Sequence, residues 1–127
     1  MNEVNSVSKS FSGCKKVSSS EVITARIRAL MADDKRKSQV YVHVRQESRD
    51  FYFEILPDMD SISYNPVLDG IYFTSEKGNL ISTISGDTAE IYYETDQYED
   101  DETHEYYHIV YPSGIQISIE ILTLPNN

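Results

Sequence analysis

Between Glu94 and Glu105 the chain places seven carboxylates in twelve positions (Glu94, Asp96, Glu99, Asp100, Asp101, Glu102 and Glu105), with no lysine or arginine among them. Carboxylates at this density can share acid–base work, attract cations or present charge to a basic partner. No acid–base pair stands out. Four of the 21 acidic residues (Glu3, Glu21, Asp33, Asp34) precede residue 46, which leaves 17 after it. The run Glu99-Asp100-Asp101-Glu102 attracts cations only weakly, because nothing in its spacing fixes a coordination shell. Asp58-Met59-Asp60 opens like a calcium loop, but Ile62 and Ser63 stand where an oxygen ligand and a glycine are required.

His104 and His108 have a spacing that serves zinc on a helix. On a strand their rings lie about 13 Å apart at roughly 3.3 Å per residue, and His43 is remote in sequence, so no metal site is expected. Cys14 is the single cysteine, which excludes an internal disulfide. As a nucleophile it lacks a positioned base, and Lys15 and Lys16 are expected to lower its pKa slightly. No glycine-rich phosphate loop, HExxH or GxSxG motif is present. The sequence predicts neither an enzyme nor a cofactor.

The elements that must position the carboxylates are read from periodicity. Residues 1–17 are poor in large apolar groups and read as a flexible arm, with 18–127 as a single α+β domain. Ser18-Ser19-Ser20-Glu21 offers a capping box, with Ser18 accepting from the Glu21 amide. Ile23, Ile27, Leu30 and Met31 then form one apolar stripe on a helix from about Ser19 to Lys35. Lys35, Arg36 and Lys37 suit its C-terminus.

Everything after that helix alternates with period two. Val40, Val42 and Val44 alternate with Tyr41, His43 and Arg45; Phe51, Phe53 and Ile55 repeat the pattern, and Pro57 ends it. Asp58 to Gly70 reads as a longer connection. In the last strand Ile115, Ile117, Ile119 and Ile121 face one way and Gln116, Ser118 and Glu120 the other. Short connections between successive strands require antiparallel pairing. The expected fold is α+β: one N-terminal amphipathic helix packed on an antiparallel meander of about seven strands, as a bent sheet or partial barrel.

At 127 residues, 39% of them hydrophobic, the chain suits one domain with a real core. Its longest apolar runs are too short to span a bilayer. Phe11-Ser12-Gly13-Cys14 has the look of a lipoprotein cleavage box, but Met1 to Ser10 is polar where an apolar stretch is needed, so a cytoplasmic location and no membrane partner are expected.

Charge is unevenly spread. Nine basic and four acidic residues up to Arg45 give +5; Arg49 and Lys77 against 17 carboxylates give −15 beyond it, which together make the net −10. A basic surplus that would coat nucleic acid is absent, so direct nucleic-acid binding is not expected. If Ala89, Ile91 and Tyr93 face the core, then Glu90, Tyr92, Glu94 and Asp96 face out. Five of the ten tyrosines (Tyr92, Tyr93, Tyr98, Tyr106, Tyr107) lie in or beside this patch. Tyrosine supplies rigid contact area at low entropic cost.

Two readings fit the patch: a ligand for a basic, nucleic-acid-handling site on another protein, or a solvated hairpin that maintains solubility. The charge of the whole sheet favours the first. The expected function is a non-catalytic inhibitor of the nucleic-acid-mimic or immunity type, with a basic protein such as a nuclease as partner. The contact residues are Glu90, Tyr92, Glu94, Asp96, Tyr98, Glu99, Asp100, Asp101 and Glu102. The alternatives are a small acidic secretion chaperone or adaptor acting as a dimer, and a small-ligand-binding barrel or minor enzyme.

Overall fold

The computed structural model describes residues 11, 13–33, 37–46, 49–55, 59–78, 80–84, 89–97 and 102–124. Strand β1 (Lys15–Val17) precedes helix α1 (Ser20–Ala32). The strands β2 (Lys37–Gln46), β3 (Arg49–Glu54), β4 (Ile62–Asn65), β5 (Gly70–Thr74), β6 (Leu80–Ile84), β7 (Glu90–Gln97), β8 (Thr103–Val110) and β9 (Gln116–Leu124) follow. The fold is α+β and every strand pair is antiparallel, as the alternation of residues predicts.

The topology is richer than a meander. Six strands form one open sheet in the order β1-β7-β8-β9-β2-β3, and β4-β5-β6 form a second sheet. The large sheet does not close into a barrel; β1 and β3 are its edges. The last strand returns to the first long one, from Lys37 opposite Leu124 to Arg45 opposite Gln116. That pairing leaves β1 and β3 as the edges, and β4–β6 build a layer of their own. A single bridge between Ile55 and Ser75 joins the two sheets, reinforced by the Glu76 amide donating to the Glu54 carbonyl at 2.9 Å. The stretch from Asp58 to Gly70, expected as a connection, holds β4.

Helix α1 buries Ile23, Ile27 and Leu30 against Val40, Val42, Ile91, Ile109, Ile119 and Ile121 of the large sheet and Ile62, Ile71 and Phe73 of the small one. Its start lies one residue later than the capping pattern predicts: Ser19, not Ser18, accepts from the Glu21 amide at 3.0 Å. The reason is Asp69. This residue sits in the left-handed region at φ 47 and accepts from the Ser19 hydroxyl at 2.9 Å, the Ser20 amide at 3.1 Å and the Tyr64 hydroxyl at 2.6 Å. Its carboxylate thus meets the positive end of the helix. Burial would raise the Asp69 carboxyl, but the hydrogen bonds from Tyr64, Ser19 and Ser20 outweigh it and hold the group below the usual aspartate value.

The helix stops at Ala32 because Asp33 is extended. Of the cations expected at its end, Lys35 and Arg36 lie outside the described residues and Lys37 opens β2. Residues 15–17, expected within the flexible arm, form an edge strand in which Val17 pairs with Ile91 and packs on the core.

Two of the helix's arginines serve the fold. Arg28 donates to the Ile62 carbonyl at 2.8 Å. Arg26 forms a two-pronged ion pair with Glu105, at 2.8 and 2.9 Å. Glu105 is 3% exposed, on the inner face of β8, and Tyr93 and Tyr107 pack beside it with ring centroids 4.9 Å apart. Burial and the adjacent Glu105 charge push the Tyr107 phenol up to about 12.

Two predictions follow from these anchors. Arg26→Met leaves Glu105 buried without its cation and costs about 3 kcal/mol, near the low end for a broken buried pair because Arg26 is partly exposed; adding Glu105→Leu recovers most of that loss in urea unfolding. Asp69→Asn costs about 1–3 kcal/mol at neutral pH through its orphaned donors. Because the folded pKa is depressed, the wild-type stabilisation is complete above the unfolded aspartate value of about 3.9 and disappears as pH falls through the folded value. The Asn variant shows no such acid-side decline from this site in unfolding curves taken across that range.

Candidate functional site

Residues directly opposite in an antiparallel sheet share a face. The register therefore builds the outer face of the large sheet rung by rung. Glu90, Val110, Gln116, Arg45 and Asp50 form one rung; Lys16, Tyr92, His108, Ser118 and His43 form the next. Glu94, Tyr106, Glu120, Tyr41 and Glu54 follow, then Asp96, His104, Leu122 and Gln39. The inner face takes the intervening residues, which are the core. Gly114, at φ 96, makes the turn that sets β8 against β9 in this register.

Glu120 is the centre of the face. It accepts from His43 Nε2 at 3.1 Å, His104 Nδ1 at 2.9 Å and the Tyr106 hydroxyl at 3.3 Å. Burial raises its carboxyl, and the hydrogen bonds and charges of His104 and His43 more than reverse this, so it stays below the usual glutamate value. His104 also meets Glu102 at 3.6 Å through its other nitrogen.

A second network adjoins the first. His108 bonds Glu94 through Nε2 at 2.6 Å and Ser118 through Nδ1 at 2.7 Å, and Gln116 donates to the same serine at 3.0 Å. The Tyr106 ring stacks toward both His104 and His108, with centroids 6.3 and 6.0 Å away. Phe11 lies flat on Tyr92 at 4.8 Å and touches His108 at 5.1 Å. Glutamate, imidazole and serine hydroxyl in a row have the connectivity of a proton relay. Here the ring is 8% exposed, covered by Phe11 and Tyr106, and the row acts as a strut across β7, β8 and β9.

The expected contact residues divide cleanly. Glu90, Tyr92, Glu94 and Asp96 stand together on the outer face of β7, as their alternation predicts, and Glu102 flanks His104. Tyr92 donates to Glu90, and that bond, with burial, raises its phenol pKa. Tyr98, Glu99, Asp100 and Asp101 lie outside the described residues. Of the other tyrosines, Tyr106 faces out, whereas Tyr93 and Tyr107 belong to the core.

Other residues join them. His43, His104 and Tyr106 are bonded to Glu120, and His108 stacks on Tyr106 beside them, a cluster that sequence distance conceals. His43 in particular, remote in sequence, is one rung position from Ser118 and bonded to Glu120. The signal was parity: in each strand these residues occupy the polar phase.

Cys14 also differs from expectation. Burial and the nearby Glu94, with which it shares a hydrogen bond, push its thiol pKa up rather than down. Among the described residues no group of three or more histidine, cysteine or acidic side chains is arranged to hold a metal ion.

Electrostatically the four rungs hold six carboxylates (Asp50, Glu54, Glu90, Glu94, Asp96, Glu120) against Lys16 and Arg45, a formal −4 with neutral histidines. The hydrogen-bond network fixes these side chains in place. Glu120→Gln removes the charge that His43 and His104 share and costs about 1–3 kcal/mol at neutral pH. With its folded pKa depressed, the wild-type contribution is full above the unfolded glutamate value of about 4.3 and fades as pH falls through the folded value. Urea unfolding of wild type and variant should therefore converge toward low pH.

No family model, curated protein or solved structure matches the chain.

Proposed function

We propose that this chain is a non-catalytic, protein-binding inhibitor whose acidic, tyrosine-bearing sheet face occludes the basic site of a nuclease or another nucleic-acid-handling protein. The observation behind the reading is the alignment of Glu90, Tyr92, Glu94 and Asp96 along β7, with Tyr106 and Glu120 beside them in the neighbouring strands. Carboxylates alternating with aromatic rings suit arginine, whose planar guanidinium takes a carboxylate in two-pronged fashion and stacks on a ring.

Arg26 and Arg28 are both bonded within the fold, which favours the sheet face over the helix as the charged surface of this reading. Glu99, Asp100 and Asp101 come shortly after β7 in the sequence and raise the negative charge of this part of the chain by three. Long-range attraction of this sort acts mainly on association rate and on partner choice.

The test is capture of partners from a native or host extract at low and moderate salt, with a variant carrying Glu90→Lys and Asp96→Lys. Both residues are exposed, so the fold tolerates the change. The expected partner is a basic nucleic-acid enzyme that binds the wild type in a salt-sensitive way and loses tenfold or more in affinity for the variant, on the order expected for removed charge pairs. A partner indifferent to both salt and the lysines would place the interface elsewhere.

A further inference from the structure

All three histidines of the chain lie on the outer face of the large sheet, and each is bonded to a carboxylate of that same face. Building on the docking reading above, we infer that these histidines are a proton gate on the docking surface: it accepts a guanidinium-rich segment when they are neutral and releases it when they are protonated.

The surroundings of each ring give the reason. His43 on β2 faces Glu120 and Ser118 of β9, has Tyr52 as its register partner on β3, and has Tyr41 and Arg45 two residues away on its own strand. His104 on β8 faces Glu120 and Leu122 of β9 and Asp96 of β7, with Glu102 and Tyr106 along its own chain. His108 faces Glu94 and Tyr92 of β7 and Ser118 of β9, with Tyr106 beside it and Phe11 over it. Among the described residues each ring is bonded to a carboxylate, with Cys14 beside Glu94; the cations of these rungs are Lys16, across Tyr92 from His108, and Arg45, two residues from His43.

A neutral imidazole donates one hydrogen bond to its carboxylate and leaves the negative charge intact. An imidazolium, having taken one proton from solvent, cancels that charge in place. Three such events take the four rungs from a formal −4 to −1. They also engage more firmly the oxygens of Glu94 and Glu120 that an incoming arginine would use. Imidazole is the side chain whose ordinary titration falls within about pH 5–8, where carboxylates remain ionised. By linkage, a bound cationic partner must in turn expel protons from the histidines.

The experiment is fluorescence anisotropy of a labelled oligo-arginine peptide against the whole chain at about pH 8 and about pH 5.5, at constant ionic strength. Circular dichroism at both pH values confirms the fold. The wild type is expected to bind on the order of tenfold more weakly at the lower pH. The triple variant His43→Gln, His104→Gln, His108→Gln is expected to lose most of that difference. Equal wild-type affinity at both pH values, or an undiminished difference in the triple variant, overturns the gate. In either case, weakened binding of the Glu90→Lys, Asp96→Lys variant would still uphold the docking face. Absence of binding at about pH 8 overturns the docking reading itself. If the triple variant does not fold, His43→Gln alone decides, because its ring is the most exposed of the three, at 35%; there a difference equal to that of wild type overturns the gate.

Discussion

The two-pronged ion pair between Arg26 and Glu105 allows the large sheet to face as its apolar residues require. A period-two strand has two faces, and slipping its register by one residue exchanges them completely. On β8 that choice is unusually loaded: one phase holds Glu105, Tyr107 and Ile109, the other His104, Tyr106 and His108. The inner phase contains a carboxylate that is unacceptable in a core without a counter-charge. Helix α1 supplies the charge from Arg26 and in doing so fixes its own position over β8. The other phase, with its histidines and Tyr106, is left facing out beside the carboxylates of β7 and Glu120 of β9. The character of the outer face is therefore a consequence of how one buried glutamate is satisfied.

The small sheet holds the same helix at two further points. Asp69 caps its first turn from the corner between β4 and β5, and Arg28 reaches the Ile62 carbonyl. The helix is thus clamped between two sheets that are bridged, among the described residues, at Ile55 and Ser75. Both clamps use charge within the fold. With Arg26, Arg28 and Asp69 absorbed in these clamps, the outer rungs of the large sheet keep six carboxylates against Lys16 and Arg45.

Much of this was legible in the sequence, and the rest was hidden for identifiable reasons. Ile117, Ile119 and Ile121 alternate with Ser118 and Glu120 so regularly that both the strand and its faces could be read. The same was true of Glu90 to Asp96, whose outward phase is as expected. The cap was misplaced by one because three consecutive serines offer equal local chemistry; Asp69, fifty residues away from Ser19, makes the selection. The histidine cluster depends on β9 pairing with β2, a contact across most of the chain that periodicity cannot reveal. The two-sheet topology has the same origin.

Function enters through what this face has ready before any partner arrives: carboxylates held by imidazoles, rings stacked on one another, and few cations nearby. The most direct measurement is an NMR titration of the labelled chain with an oligo-arginine peptide, following backbone amides and imidazole resonances together. The account requires shifts concentrated on Glu90–Asp96 of β7, Glu102–His108 along β8, Glu120 and His43, with α1 and β4–β6 quiet. Shifts concentrated instead on α1 or the small sheet would contradict it.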